Sequence, residues 1–282
     1  VSKTSCNVSE WVDAAPAEQR EFREAVHTIL TAIAADLDLQ NSMVMKGGLL
    51  MAIRYKSNRF TTDLDFSSSS HPSDFNIDEF REKFEASLAA VVAESKYDLD
   101  CRIQRFRMFP KTEKPNFASI KMTLGYAHRG SAKHKRLLTG NSPTTIDIDF
   151  SINEPMLGFE RLNFEGDSSI HAYVFTDLVA EKFRSLLQQP SRDRFRRQDV
   201  YDLRWLINSE ISDQERSLIL ESLKIKSQAR QIVPNRDSLD DPEVKRRAEK
   251  DYPFLADEVP EELPDFQESY ELVSAFYKSL PW

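Results

Sequence analysis

No stretch constrains this chain as tightly as residues 46 to 66. It carries Lys46-Gly47-Gly48, an apolar run from Leu49 to Ile53, and then Arg59, Thr61, Asp63 and Asp65. Alternate residues of a strand share a face. A strand over 63–66 therefore sets Asp63 and Asp65 side by side and turns Leu64 and Phe66 into a core. Two hard oxygen ligands so placed suit Mg²⁺ (or Mn²⁺), which keeps water and phosphate oxygens in the rest of its shell. Gly47 and Gly48 lack a Cβ, so backbone N–H groups there can close on a phosphate. The apolar run reads as a helix whose positive N-terminus aims at the same anion. Lys46 before the glycines, and Arg59 and Thr61 before the aspartates, add two cations and a hydroxyl. A Gly-Gly turn alone, or an Asp-x-Asp alone, is an ordinary surface feature. Together they describe a site for a nucleotide and its metal.

The flanking segments supply a sheet and helices. Pro16 opens an amphipathic helix to about residue 39, with Phe22, Val26, Ile29, Leu30, Ile33 and Leu37 on one face. Met43-Val44-Met45 is a short strand into the Gly-Gly turn. A helix is expected over 76–95, then two strands over 99–109 and 116–126. Thr144 to Ile152 alternates strictly, so Asp147 and Asp149 share one face and Ile146, Ile148 and Phe150 the other. That strand is either a polar surface or the carrier of a third carboxylate beside Asp63 and Asp65. Asp149, just before the Phe-Ser-Ile-Asn-Glu-Pro exit, is preferred to Asp147. Three such carboxylates would hold metal and provide a base for in-line phosphoryl chemistry. Helices follow over 176–190, ended by Pro190, and over 195–209, 213–226 and 266–280. Lys182 and the arginines of 192–197, Arg197 among them, either reach a triphosphate or pair on the surface. Residues 227–270, with five prolines, read as a loose extension docked on the body. This divides the chain into an N-terminal helical segment (1–40), an α+β core (41–175) and a helical part with an acidic tail (176–282).

Charge distribution bears on partners. The net charge of −8 argues against a polyanion until it is resolved along the chain. Residues 237–282 hold thirteen acidic and five basic residues, whereas 96–142 hold eleven basic and three acidic. Arg105, Arg107, Lys111 and Lys114 fall on the hairpin of that basic stretch. The hairpin is expected to lie outside the nucleotide pocket and to grip RNA. No apolar run approaches the ~20 residues of a membrane span, and no secretory leader is visible. Two cysteines without metal spacing agree with a reducing cytoplasm.

Lys46-Gly47-Gly48 with Arg59-Phe60-Thr61-Thr62-Asp63-Leu64-Asp65-Phe66 resembles the motif of the AbiEii-type nucleotidyltransferase toxins. Glu181-Lys182 resembles that family's helical lysine motif. Arg197-Gln198-Asp199-Val200-Tyr201-Asp202 resembles its basic-x-Asp-x-x-Asp motif. The matches span about residues 44–205. Thr61 stands where the family usually has Ser, and Gln198 where it has a basic residue. The resemblance implies an α+β fold, a nucleotidyltransferase-like mixed sheet flanked by helices and followed by a helical C-terminal subdomain. It implies Mg²⁺-dependent transfer of a nucleotide from an NTP to RNA, the 3′ end of tRNA in characterised relatives. It also implies action as a toxin beside an antitoxin, or in phage defence. By the same resemblance Lys182 binds triphosphate, Asp149 is the third acid, and Asp199 orients the site or acts as base. Two other readings compete: transfer to a small molecule or protein, and a catalytically idle nucleotide-binding partner protein.

Overall fold

The computed structural model describes residues 8–110, 117–163 and 168–282. Helix α1 (Val8–Asp13) leads into α2 (Ala17–Ala35) and α3 (Leu37–Ser42). The single helix expected over 16–39 is thus two. Asp36 divides them, because its carboxylate accepts the N–H groups of Asp38 and Leu39 and caps a new start.

Seven strands form one mixed sheet: β1 (Val44–Lys46), β2 (Leu64–Ser68), β3 (Leu99–Phe109), β4 (Ala118–His128), β5 (Thr145–Ile152), β6 (Phe159–Asn163) and β7 (Ser169–Tyr173). Their spatial order is β3-β4-β5-β2-β1-β7-β6. β2 runs parallel to β5 and β1 parallel to β7, and the remaining neighbours are antiparallel. α4 (Gly47–Arg54) joins β1 to β2, α5 (Ile77–Glu94) joins β2 to β3, and α6 (Ala132–Leu138) joins β4 to β5.

The alternation read in β5 decides which face is core. Ile146, Ile148, Phe150 and Ile152 are buried, while Asp147 and Asp149 face the other way. α5 and the turn before it cover the apolar face: Phe80 of α5 stacks on Phe150 at 5.3 Å, and Phe75, just ahead of the helix, meets the same ring edge-on at 5.7 Å. Such aromatic contacts add about 0.5–1.5 kcal/mol each beyond area burial. The opposite face of β2, β5, β4 and β3 is polar and opens into a cleft.

The described chain after β7 is helices and turns: α7 (Phe175–Arg192), α8 (Arg197–Ile207), α9 (Asp213–Gln228), α10 (Pro242–Glu249) and α11 (Phe266–Lys278). Pro190 does not end α7. The Leu186 carbonyl, which a proline four residues on cannot serve, accepts from Gln189 Nε2 at 3.1 Å. The helix stops instead at Asp193, in the left-handed region with φ 49°. Residues 227–270 are more regular than expected, with α10 and two 3-10 turns (Ser238–Asp240 and Tyr252–Asp257). Of their apolar residues, Tyr252, Leu255, Phe266 and Tyr270 are buried, in keeping with a docked extension, but Phe254 is exposed. No helix among the described residues is long and apolar enough to cross a membrane.

Candidate active site

The strand register assembles the site. Directly opposed residues of neighbouring strands share a face. Lys46, Asp65, Asp149, Lys121 and Arg107 are opposed in turn across β1, β2, β5, β4 and β3. Asp147, Thr123 and Arg105 form the next row, and Asp63 lies just before β2. Apart from Lys46, the two rows floor a cleft of about 790 Å³ that also takes in Gly47, Gly48, Arg59, Thr61, Lys182 and Arg196 to Gln198. That volume lies within the usual range for small-ligand sites.

Arg105 and Arg107 therefore line this cleft, and the expectation that the hairpin stands outside it is wrong. A β-bulge is the reason. Leu99, Cys101 and Ile103 follow the core-facing phase of β4, and strict alternation would continue it to Arg105. The register shifts between Ile103 and Arg105, so Phe106 faces the helices, where Arg81 of α5 covers its ring, and the arginines face the cleft. Lys111 and Lys114 lie outside the described residues.

The glycines sit where a side chain has no room. Gly47 has φ +78°, and a Cβ there would stand 2.1 Å from Asp65 Oδ2. A Cβ on Gly48 would come within 2.9 Å of Arg59 Nη2 and 3.1 Å of Thr61 Cγ2. α4 begins at Gly47 with no side-chain cap on its first N–H groups. Lys46 is buried behind this turn, its ammonium 6.0 Å from the Tyr173 ring centre, and does not line the cleft.

The carboxylates repel one another. Burial, then Asp149 beside it, push Asp65 up to about 6. Asp63 is raised by burial and by Asp147 and Asp149. Lys121 Nζ answers part of that charge, 2.9 Å from Asp149 Oδ2, and Thr123 Oγ1 donates to Asp147 at 2.7 Å. Among the described residues no group of three or more His, Cys, Asp and Glu side chains is drawn together tightly enough to hold a metal ion. The expected trio Asp63, Asp65 and Asp149 is thus not closed into a cage. Its core is the opposed pair Asp65 and Asp149, an open oxygen set whose mutual repulsion a divalent cation would relieve. That chemistry fits Mg²⁺, which dispenses with an all-protein cage.

Lys182, expected to bind triphosphate, is buried and held. Its Nζ donates to Asp199 Oδ1 at 3.1 Å and to Asp202 Oδ2 at 2.5 Å. Burial alone would depress its ammonium, but Asp202 and Asp199 outweigh that and raise its pKa. Asp202 also takes Arg59 bidentately, at 2.9 and 3.1 Å, and Asp199 takes Arg196 at 2.7 Å. Asp202 is held down to about 2, because Lys182 and Arg59 overcome the effect of its burial. Glu258, from the C-terminal segment, escaped the sequence reading. It bridges Arg59 and Arg197 at the rim of the cleft, and nothing in its local sequence separates it from the other tail acids.

The family model described as nucleotidyl transferase AbiEii toxin, type IV toxin–antitoxin system, matches residues 28–273. The chain belongs to this family. It is an AbiEii-type nucleotidyltransferase toxin, so an NTP is its substrate and an antitoxin its expected counterpart. Comparison with curated proteins returns no match. An H. pylori protein assigned as a nucleotidyltransferase superposes with TM-score 0.52 at 14% identity, over 94% of this chain and 96% of its own. JHP933 from Helicobacter pylori gives 0.51 at 14% identity, over 95% and 93%. These two share the fold with the AbiEii chain. MenT4, a nucleotidyltransferase toxin from Mycobacterium tuberculosis, reaches 0.48 at 15% identity, over 97% of both chains.

Proposed function

We propose that this toxin transfers a nucleotide from an NTP to the 3′ end of an RNA, of tRNA class, in a Mg²⁺-dependent reaction. It would act within a toxin–antitoxin or phage-defence system. The carrying observation is the register that opposes Asp65 to Asp149 beside the Gly47-Gly48 turn and continues into Lys121 and Arg107. One row thus joins carboxylates for a metal to cations for phosphates. Asp63, Asp65 and Asp149 would hold the ion, which when bound would neutralise charge developing on the transferred group. Gly47 and Gly48 receive phosphate oxygens on backbone N–H groups, with Arg59, Thr61 and Arg197 at the rim. Attack by the RNA hydroxyl on the α-phosphorus forms one P–O bond and breaks that to pyrophosphate, and Asp149 would accept the proton. Asp199, fully buried and held by Lys182 and Arg196, fits an orienting role rather than that of a base. Arg105 and Arg107 guide the RNA backbone into the cleft. The three-part division at residues 40 and 175 belongs to the same proposal.

Calorimetric titration of NTP with and without Mg²⁺ tests the site. Wild type is expected to bind more tightly with Mg²⁺, and Asp65→Asn to lose that difference while keeping its fold. Mg²⁺-dependent binding that survives in an Asp65→Asn, Asp149→Asn variant contradicts the metal assignment.

A further inference from the structure

The rim of the cleft already contains an anion. Glu258 Oε2 accepts from Arg59 Nη1 at 3.1 Å, and Glu258 Oε1 accepts from Arg197 Nη2 at 2.9 Å. One carboxylate thus spans two guanidinium groups that line the cleft. Arg59 is fixed from behind by Asp202, so it cannot turn away. It is also the guanidinium whose Nη2 lies 2.9 Å from the place a Cβ on Gly48 would take, directly over the Gly-Gly turn. A carboxylate and a phosphate present similar oxygens to arginine and compete for the same donors.

The segment carrying Glu258 is held to the rim by polar contacts. The Phe60 N–H donates to the Glu258 carbonyl at 2.7 Å, and Asn58 donates to Glu261. Behind it, Leu255 and Val259 are buried, and the 3-10 turn Tyr252–Asp257 precedes it. The rim contacts are polar and exchangeable, and Leu255 can stay seated while the backbone at Glu258 and Val259 lifts from the rim.

We propose that Glu258 is an internal stand-in for a substrate phosphate. Arg59 and Arg197 form an anion subsite, Glu258 fills it in the resting protein, and the outer phosphates of an NTP displace it. The Phe60–Glu258 contact then opens, so the tail gates its own cleft. This rests on the nucleotide reading above and adds the regulation of that site.

The test has two readouts on the full chain with Mg²⁺ and NTP. Removing the competing charge in Glu258→Gln should tighten NTP binding about tenfold, the scale of one charge-assisted contact. In the wild type, NTP should speed hydrogen exchange of the Phe60 amide, whose acceptor leaves with Glu258. The melting temperature of each variant shows whether the segment stays docked. Unchanged NTP affinity in a folded Glu258→Gln, or a Phe60 amide that stays protected when NTP saturates the wild type, overturns the proposal. Glu258 would then be a latch that only anchors the tail. If neither protein binds NTP at all, the nucleotide reading itself fails and the gate with it.

Discussion

Behind the cleft, Asp202 pairs with two buried cations at once. It is buried and joins Arg59 to Lys182. Asp202→Ala leaves two buried cations short of a partner and should destabilise the fold by about 3–5 kcal/mol, read by denaturant unfolding. Lys182→Ala should cost less, because Asp202 keeps Arg59 and Asp199 keeps Arg196. The same carboxylate predicts an acid limit. Its folded pKa of about 2 lies below the ordinary 3.8. Its stabilisation is therefore fully present above about pH 4 and is lost as pH falls towards 2. Unfolding measured across that window should show the loss in wild type and a flatter profile in Asp202→Asn. On the proposed reading Asp65 and Asp149 bear on activity instead. Either changed to Asn should then lower transfer by roughly a hundredfold or more, since each would remove a proposed metal oxygen from an open set. Near wild-type turnover in both would show that the pair is only a polar strand face.

At the scale of elements, β3 and β4 carry the lesson about legibility. The strand–turn–helix–strand of β1, α4 and β2 was readable because each residue there obeys a local rule: glycine at positive φ, alternation, an apolar helix. β5 was readable for the same reason, and its register against β2 sets Asp149 opposite Asp65. The bulge after Ile103 was not, because β3 carries no glycine or proline there, and Gly125, which faces the bulged Gln104, lies across on β4 where only the pairing reveals it. Glu258 was hidden likewise, since a contact between residues 199 positions apart leaves no local pattern. The bulge changes a prediction. With Arg105 and Arg107 in the cleft, Arg105→Glu with Arg107→Glu should weaken both RNA and NTP binding. Each lost RNA phosphate contact should reduce the log–log salt slope by ~0.7 for a single strand. Salt-dependent RNA affinity unchanged by both reversals would remove the hairpin from the acceptor path.

At the scale of the molecule, the sheet holds the acids and the helical C-terminal part closes over them. α7 brings Lys182, α8 brings Arg197, and the tail brings Glu258 to one cleft. The acidic tail is thus partly a wall of the site rather than a separate appendage, which its charge alone did not disclose. On the proposed reading this toxin joins its nucleotide to an RNA acceptor. The direct measurement incubates the purified protein with Mg²⁺, total RNA and each α-labelled NTP in turn, beside Asp65→Asn. Label is predicted in a discrete band of tRNA size with the wild type, and in none with the variant or after chelation. Absence of labelled RNA with every NTP, while the protein still binds NTP, would contradict it, as would undiminished labelling by Asp65→Asn.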